Sequence, residues 1–406
     1  MFFIILPYGN DRRTCRFPAV TYALIAANIA VFLWMLPLDR GVAISVLGLV
    51  PAHPSFRDIV SSMFVHAGVF HLGWNMLFLW LFGPNVEDAL GRLEYAILYL
   101  GSGIAAALLH LFVVAQFAPM ASGIPVVGAS GAIAGILGIF AIRFYKTNIK
   151  VFWSFVVLVF PVKSDTFKVP AVAGLGIWFM EQLYYGLNSL THPMASGVAY
   201  WSHIGGMMFG MLLASAAKLG LEGSKEYLMA DAKSLIRRGT TWDAIENLEL
   251  LVDRDPCNPD AHAELAKLYA EQQNPHEAIP HFRKSVEIHL SRGERDKASL
   301  RYSEMRDYDR DATLDLKLEF QIARHLMEMC VHKQAARMFQ NISFNHPNTP
   351  EAEVALMKAG DICLDSMDDP QRAVWCYERF LREYPQSTYR TMVEKSLDEA
   401  RRQVNR

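Results

Sequence analysis

Six apolar stretches fill the first 218 residues of this 406-residue chain, at about 18–37, 60–82, 93–116, 127–145, 169–187 and 199–217. Each approaches the roughly 20 residues that a membrane crossing requires. From about residue 222 the character changes, and the chain becomes dense in Glu, Lys, Arg and Asp with helical periodicity. The whole-chain net charge of −2 and the 20% of charged residues therefore describe neither half. Such a balanced charge gives no case for a nucleic-acid partner.

The basic residues are unevenly placed. Arg12, Arg13 and Arg16 precede the first stretch; Arg143, Lys146, Lys150, Lys163 and Lys168 lie between the fourth and fifth; Lys218 and Lys225 follow the sixth. The segment 117–126 has no charge, and 188–198 offers only His192. By the positive-inside rule an even number of spans with both ends basic predicts both termini in the cytoplasm; the expected location is that of an integral, multi-pass protein of a bacterial plasma membrane. The first stretch lacks a small-residue cleavage site and is long enough to span, so it reads as an uncleaved helix. The run from Val151 to Val162 is short for a span and reads as interfacial or re-entrant. Cys15, Cys257, Cys330, Cys363 and Cys376 show no metal spacing and fall where thiols stay reduced.

Polar residues inside these apolar stretches mark a candidate site, because ionisable groups in hydrocarbon are costly. Ser130 sits in Gly128-Ala129-Ser130-Gly131, and His203 in Ser202-His203-Ile204-Gly205-Gly206. A serine hydroxyl is a weak nucleophile without a base, and histidine is the natural one. Both fall in the outer half of their spans, at matching depth. Gly131-x-x-x-Gly135 and Gly206-x-x-x-Gly210 offer small faces for close packing of the fourth and sixth spans. His71 and Asn75, at i and i+4, share one face of the second span and can donate hydrogen bonds. Together with the unpaired N–H groups where a helix begins at Ser130, they suit a site for a developing oxyanion. His66 and His110 read as interfacial or structural. The chemistry calls for no cofactor and no metal.

In the charged half, Leu265, Ala266, Tyr269, Ala278 and Phe282 have tetratricopeptide-like spacing after Pro256, and Ala244 precedes Ala278 by 34 residues. Ala323, Leu326, Ala335, Phe339 and Pro347 repeat the pattern. Ala373, Tyr377, Phe380 and Pro385 repeat it again, 38 residues beyond Ala335. Small residues let paired helices approach, aromatics fill between pairs, and proline ends the second helix. The stretch 291–318 fits poorly. The expected fold class is thus all-α: a polytopic six-helix transmembrane bundle followed by a soluble α-solenoid of TPR-like repeats. Its domains would be a cytoplasmic N-terminal segment (1–17), a six-span membrane domain (18–218) and a cytoplasmic repeat domain (219–406). Such solenoids bind proteins, which implies a cytoplasmic partner or a substrate tail.

The set Gly128-Ala129-Ser130-Gly131, His203 followed by Gly206, and His71-x-x-x-Asn75 resembles the rhomboid family of intramembrane serine proteases. Pro18-Ala19-Val20-Thr21, Asn28, Phe64-Val65-His66-Ala67-Gly68 and Gly83 are similar too, so the likeness covers about residues 15–217. The resemblance implies an intramembrane endopeptidase in the lipid bilayer that cleaves single-span membrane proteins with a Ser–His dyad and no third carboxylate. Ser130 would be the nucleophile and His203 the base. His71, Asn75 and the Gly128-Ala129-Ser130 backbone would serve the oxyanion and substrate. It also places Trp178 and Phe179 on a fifth helix that moves aside for substrate; Glu181, on that helix, has no assigned role.

Three positions depart from the family pattern: Ser202 stands where alanine is frequent, Phe56-Arg57 where Trp-Arg is frequent, and Ala134 where many members pack an aromatic on the histidine. The last leaves His203 needing other support. The competing expectation is a catalytically inactive rhomboid-like scaffold, but it would lack the Ser or His present here. A transporter would want ionisable residues along a midplane path and inverted repeats, neither of which is seen.

Overall fold

The computed structural model describes residues 2–157, 160–191 and 198–405, which leaves His192 outside the described residues. It divides into two compact units, Met1–Tyr227 and Leu228–Arg406.

The first unit opens with strand β1 (Phe2–Asn10). Helices α1 (Ala19–Met35), α2 (Arg40–Leu47), α3 (Phe56–Ser62), α4 (Val69–Leu90), α5 (Arg92–Phe117) and α6 (Ser130–Arg143) follow. Strands β2 (Asn148–Val157) and β3 (Phe160–Pro170) precede α7 (Ala171–Thr191), α8 (Tyr200–Ala216) and α9 (Leu219–Arg238), the last of which runs over the unit boundary.

A helix stands at each of the six apolar stretches. Among the described residues, α5 alone is long and apolar enough by itself to cross a membrane, while α1 and α6 are shorter apolar helices. The reason is clearest at α6. Its 14 residues extend only about 21 Å at helical rise, against a hydrocarbon layer of about 30 Å. The apolar run begins at 127, but Gly128 takes φ +120° and the helix cannot start before Ser130. Irregular backbone at membrane depth is tolerated where protein surrounds it or it lines a water-filled cavity.

The run from Val151 to Val162, read as interfacial or re-entrant, is strand and not helix in its described residues. Its described residues belong to β2 and β3, and β2 pairs antiparallel with both β1 and β3. The β-branched and aromatic sequence Val151-Phe152-Trp153 suits a pleated ladder. This three-stranded sheet is the departure from an otherwise helical chain. It takes up part of the expected N-terminal segment, and Asn10 ties it to α4 by donating from Nδ2 to the Leu81 carbonyl at 3.0 Å and to Asn85 Oδ1 at 2.8 Å.

Two contacts between helices position the site. The first caps α1, which has no side-chain cap of its own. Glu87 of α4, 3% exposed, accepts hydrogen bonds from the Val20 N–H at 3.0 Å, the Thr21 N–H at 2.8 Å and Thr21 Oγ1 at 2.7 Å. A carboxylate there satisfies orphan amides and suits the positive end of the helix dipole. One turn earlier, Gly83 leaves no room for a Cβ, which would lie 2.7 Å from the Tyr95 hydroxyl.

The second contact is between α6 and α8. A Cβ at Gly206 would overlap the Gly131 carbonyl oxygen, and one at Gly210 would overlap that of Gly135. Backbone touches backbone along both small faces. On the side of α6 where Arg143 lies, Arg143 and Arg12 both pair with Glu226 of α9, the Arg12 bond measuring 2.7 Å. Burial pushes the Glu226 carboxyl upward, but the two guanidiniums outweigh it and hold its pKa below the usual value.

The second unit continues with α10 (Thr241–Arg254), α11 (Pro259–Glu271), α12 (Pro275–Ser291), α13 (Arg295–Tyr308) and α14 (Leu316–Glu328). It ends with α15 (His332–Asn345), α16 (Pro350–Asp361), α17 (Pro370–Glu383) and α18 (Arg390–Val404). Proline opens α11, α12, α16 and α17, where its missing N–H costs nothing. Pro256, Pro347 and Pro385 follow the ends of α10, α15 and α17. Ala244, Ala266, Ala278, Phe282, Ala323, Ala335, Phe339, Ala373, Tyr377 and Phe380 are all buried. The helix pairs α11–α12, α14–α15 and α16–α17 carry the repeat pattern of this TPR-like unit.

Both irregularities in the repeat have a local cause. The stretch 291–318 contains one additional helix, α13, between two pairs. The 38-residue spacing reflects a π-helical turn, Ile362–Ser366, after α16. Twenty residues separate Pro350 from Pro370, whereas sixteen separate Pro259 from Pro275.

Phe339→Ala should destabilise this unit by about 3–5 kcal/mol, the usual cost of deleting a fully buried aromatic. Denaturant unfolding followed by circular dichroism measures it, and an unchanged midpoint would contradict the packing described.

Candidate active site

Ser130 is the first residue of α6 and His203 lies one turn into α8. The glycine contact between the two helices brings their ends together, and Ser130 Oγ lies 2.8 Å from His203 Nε2. That is hydrogen-bond distance for a nucleophile and its base. The other ring nitrogen, Nδ1, lies 2.7 Å from Oε1 of Gln182 on α7. Trp178, one turn before Gln182, lays its ring near that of His203, with centroids 5.8 Å apart and planes 33° from parallel. Ala134 is buried in α6 and offers only a methyl group. The support that an aromatic would supply from α6 comes from α7 instead.

Donors converge beside Ser130. The first intrahelical bond of α6 runs from the Ile133 N–H to the Ala129 carbonyl at 2.9 Å. The amides of Ser130, Gly131 and Ala132 thus precede the helical ladder. His71 and Asn75 come from α4, and a Cβ at Gly128 would lie 2.8 Å from His71 Cε1 and Nε2 and 3.7 Å from Asn75 Nδ2. The glycine is needed twice, for its positive φ and for the room it leaves the imidazole. Its N–H donates to the Ser62 carbonyl at 2.8 Å, which anchors the turn before Ala129 and Ser130.

The hydrogen bonds around His71 fix its donor. The Ala67 N–H points at His71 Nδ1 from 3.4 Å, so that nitrogen accepts and a neutral ring carries its proton on Nε2. Asn75 spends one amide hydrogen on the His71 carbonyl at 3.0 Å and keeps the other. His66 is 1% exposed and sets its ring edge-on to His71, with centroids 5.1 Å apart, so it buttresses a donor. His110 makes no hydrogen bond to the dyad, and its Nδ1 is buried without a hydrogen-bond partner among the described residues.

These groups open on a cavity of about 520 Å³ whose walls include Ser130, His203, His71, Asn75, Trp74 and Trp178. Ser202 also lines it. Phe56, 70% exposed, starts α3 away from the dyad's hydrogen bonds. Glu181 is exposed on α7, and it is its neighbour Gln182 that turns inward, 5% exposed. Sequence reasoning passed over Gln182, although a polar residue four places after Trp178 on an apolar helix was a usable signal.

A serine–histidine pair with adjacent donors, set among apolar helices, is the class of site that this unit carries. Within that class, residues 53–218 match the family model described as Rhomboid domain, and the chain carries a rhomboid domain. "Rhomboid protein 1, mitochondrial" of Saccharomyces cerevisiae is 33% identical over 195 residues, covering 48% of this chain and 51% of that protein. "Rhomboid protease GluP" of Bacillus subtilis is 26% identical over 309 residues, covering 63% of this chain and 58% of that protein. The chain thus matches only about half the length of these relatives.

A rhomboid domain is membrane-integral. One relative is named as mitochondrial and the other is bacterial, so the expected bacterial plasma membrane is not supported. Among solved structures, a TPR protein named YrrB aligns over 41% of this chain and 90% of its own, at 13% identity and a TM-score of 0.22. The repeat assignment rests on the helix pairs above and not on that likeness.

Gly128→Ala tests the converging donors. It forces a side chain into a positive-φ position and against His71, and should slow the reaction of Ser130 with a fluorophosphonate by on the order of 10²-fold or more. The labelling rate of folded protein measures it. A wild-type rate would remove His71 from the site.

Proposed function

We propose that this protein is an intramembrane serine endopeptidase that cleaves single-span membrane proteins within or near their transmembrane segments. The observation that carries the reading is the 2.8 Å contact between Ser130 Oγ and His203 Nε2, on the wall of a cavity inside an apolar bundle. Water must reach a peptide bond that hydrocarbon would otherwise keep dry, and the shortness of α6 leaves space for it.

The reaction follows from the geometry. Ser130 Oγ attacks the scissile carbonyl carbon while His203 Nε2 takes the hydroxyl proton. The oxygen of the tetrahedral adduct gains negative charge, which His71 Nε2–H, the free Asn75 amide hydrogen and the Ser130 N–H are placed to stabilise. His203 returns the proton to the leaving amine, and the C–N bond breaks. A water molecule, deprotonated by His203, then attacks the acyl-serine and regenerates the hydroxyl. Among the hydrogen-bond partners of the described dyad there is no carboxylate; His203 Nδ1 meets the Gln182 amide instead.

The repeat unit supplies recruitment in this reading. Its core is built from its own alanine and aromatic positions, leaving its surface for a cytoplasmic partner or a substrate tail. Tethering would raise the local substrate concentration without adding a catalytic group. The basic segments before α1, between α6 and α7 and after α8 support a topology with both termini on one side of the membrane.

Purified Ser130→Ala and His203→Ala proteins should each lose cleavage of a panel of single-span membrane proteins, by on the order of 10⁴-fold or more, while keeping the wild-type circular dichroism spectrum. The two losses should not add, since nucleophile and base act as a unit. Undiminished cleavage by Ser130→Ala would sink the assignment. A wild-type protein that binds these clients without cleaving any would favour the inactive scaffold.

A further inference from the structure

We infer that Gln182 is a positioning residue for the base, and that it makes the reaction conditional on α7 being seated against α8. The inference rests on the protease reading and adds to it the helix that controls the dyad. An amide oxygen can only accept a hydrogen bond. With Gln182 Oε1 at 2.7 Å, Nδ1 of His203 must therefore carry the proton. A neutral imidazole has one N–H, so Nε2 presents its lone pair to Ser130, and the hydroxyl donates across the 2.8 Å contact. The other tautomer would put a hydrogen on Nε2 and leave Ser130 without a base.

The same helix holds the ring by its face as well as its edge. Trp178, Gln182 and Gly186 recur at intervals of four and form one stripe along α7. Trp178 lies near the face of the His203 ring and Gln182 bonds its edge. Gly186 admits α8 closely, since a Cβ there would lie 3.2 Å from Ile204 Cδ1 and 3.5 Å from the Trp201 ring. Ile177, Met180 and Tyr184 of α7 are 72%, 63% and 63% exposed. A narrow stripe therefore seats the helix, and it is the stripe that holds the base. Hydrogen bonds weaken steeply beyond a few tenths of an ångström. Movement of α7 off α8 would release Gln182 and Trp178 from His203 together. An open α7 would thus have an unoriented base, and chemistry would wait for the helix to reseat.

The test uses the full chain in detergent, with Gln182→Met and Gln182→Glu, a cleavable single-span substrate, and kcat and KM measured separately across pH. Wild type and Ser130→Ala are first compared by fluorophosphonate labelling. If wild type neither labels at Ser130 nor cleaves, the protease reading fails and not this inference. Gln182→Met should lower kcat by about 10–100-fold, less than the ~10⁴ seen when a charged orienting group is lost. KM should stay within about twofold, because the lost contact acts on the base and not on bound substrate.

Gln182→Glu restores an acceptor and should recover most of that kcat. It should also move the acid limb of the kcat profile to higher pH, because a carboxylate favours the imidazolium and the base must be neutral to act. A residue that only packed would show Gln182→Glu as impaired as Gln182→Met, with the acid limb unmoved. That result, or a wild-type kcat in Gln182→Met, overturns the inference. Should Gln182→Met fail to fold, the acid limb of Gln182→Glu decides alone.

Discussion

Where Gly206 of α8 meets the backbone of Gly131 on α6, no side chain stands between the two helices, and the site depends on that contact. Helices in lipid gain little from apolar burial against one another, so close van der Waals approach does the work. A Cβ at Gly206 or Gly210 would push α8 outward and lengthen the serine–histidine hydrogen bond with it. Gly135 and Gly205 extend the same close packing to α5, where Cβ atoms would meet Ser102 and Ala105–Ala106. Ser130 and His203 therefore stand at the ends of closely packed helices.

The polar groups that build the site are held by hydrogen bonds to neighbours, although others close by, such as His66 Nε2 and Ser102 Oγ, are buried without one among the described residues. Glu87 receives three donors at the start of α1. Asn75, His71 and His203 each spend part of their hydrogen-bonding capacity on a neighbour and turn the remainder toward the cavity. A buried polar group left bare is costly, and these side chains are held in one orientation by the bonds they do make. Orientation fixed before substrate arrives is what a developing oxyanion needs.

Much of this was legible in the sequence, and the gaps have physical reasons. Ser130, His203, His71 and Asn75 stand out because hydrocarbon makes polar residues conspicuous, and the glycine spacing indicates which helices touch. Ala134 signalled that His203 lacked its usual support, but the replacement lay 44 and 48 residues on, in Trp178 and Gln182, and only the fold brings them back to it. Glu181 drew attention as the charged residue on that helix, although it faces outward. The sheet was missed because β1 is a short apolar segment whose partner β2 lies nearly 140 residues away, and strand pairing at that distance leaves no local periodicity. In the repeat unit the spacing exposed both irregularities, whereas their causes, α13 and a π-helical turn, required the backbone.

The measurement that reaches the central claim most directly is peptide mapping by mass spectrometry after reaction of the purified chain with a fluorophosphonate at neutral pH. The geometry predicts one adduct, on Ser130, formed by the wild-type protein and lost in His203→Ala, because the hydroxyl is reactive only with its base beside it. An adduct that persists at Ser130 without His203, or no adduct there in a folded wild-type protein, would contradict it.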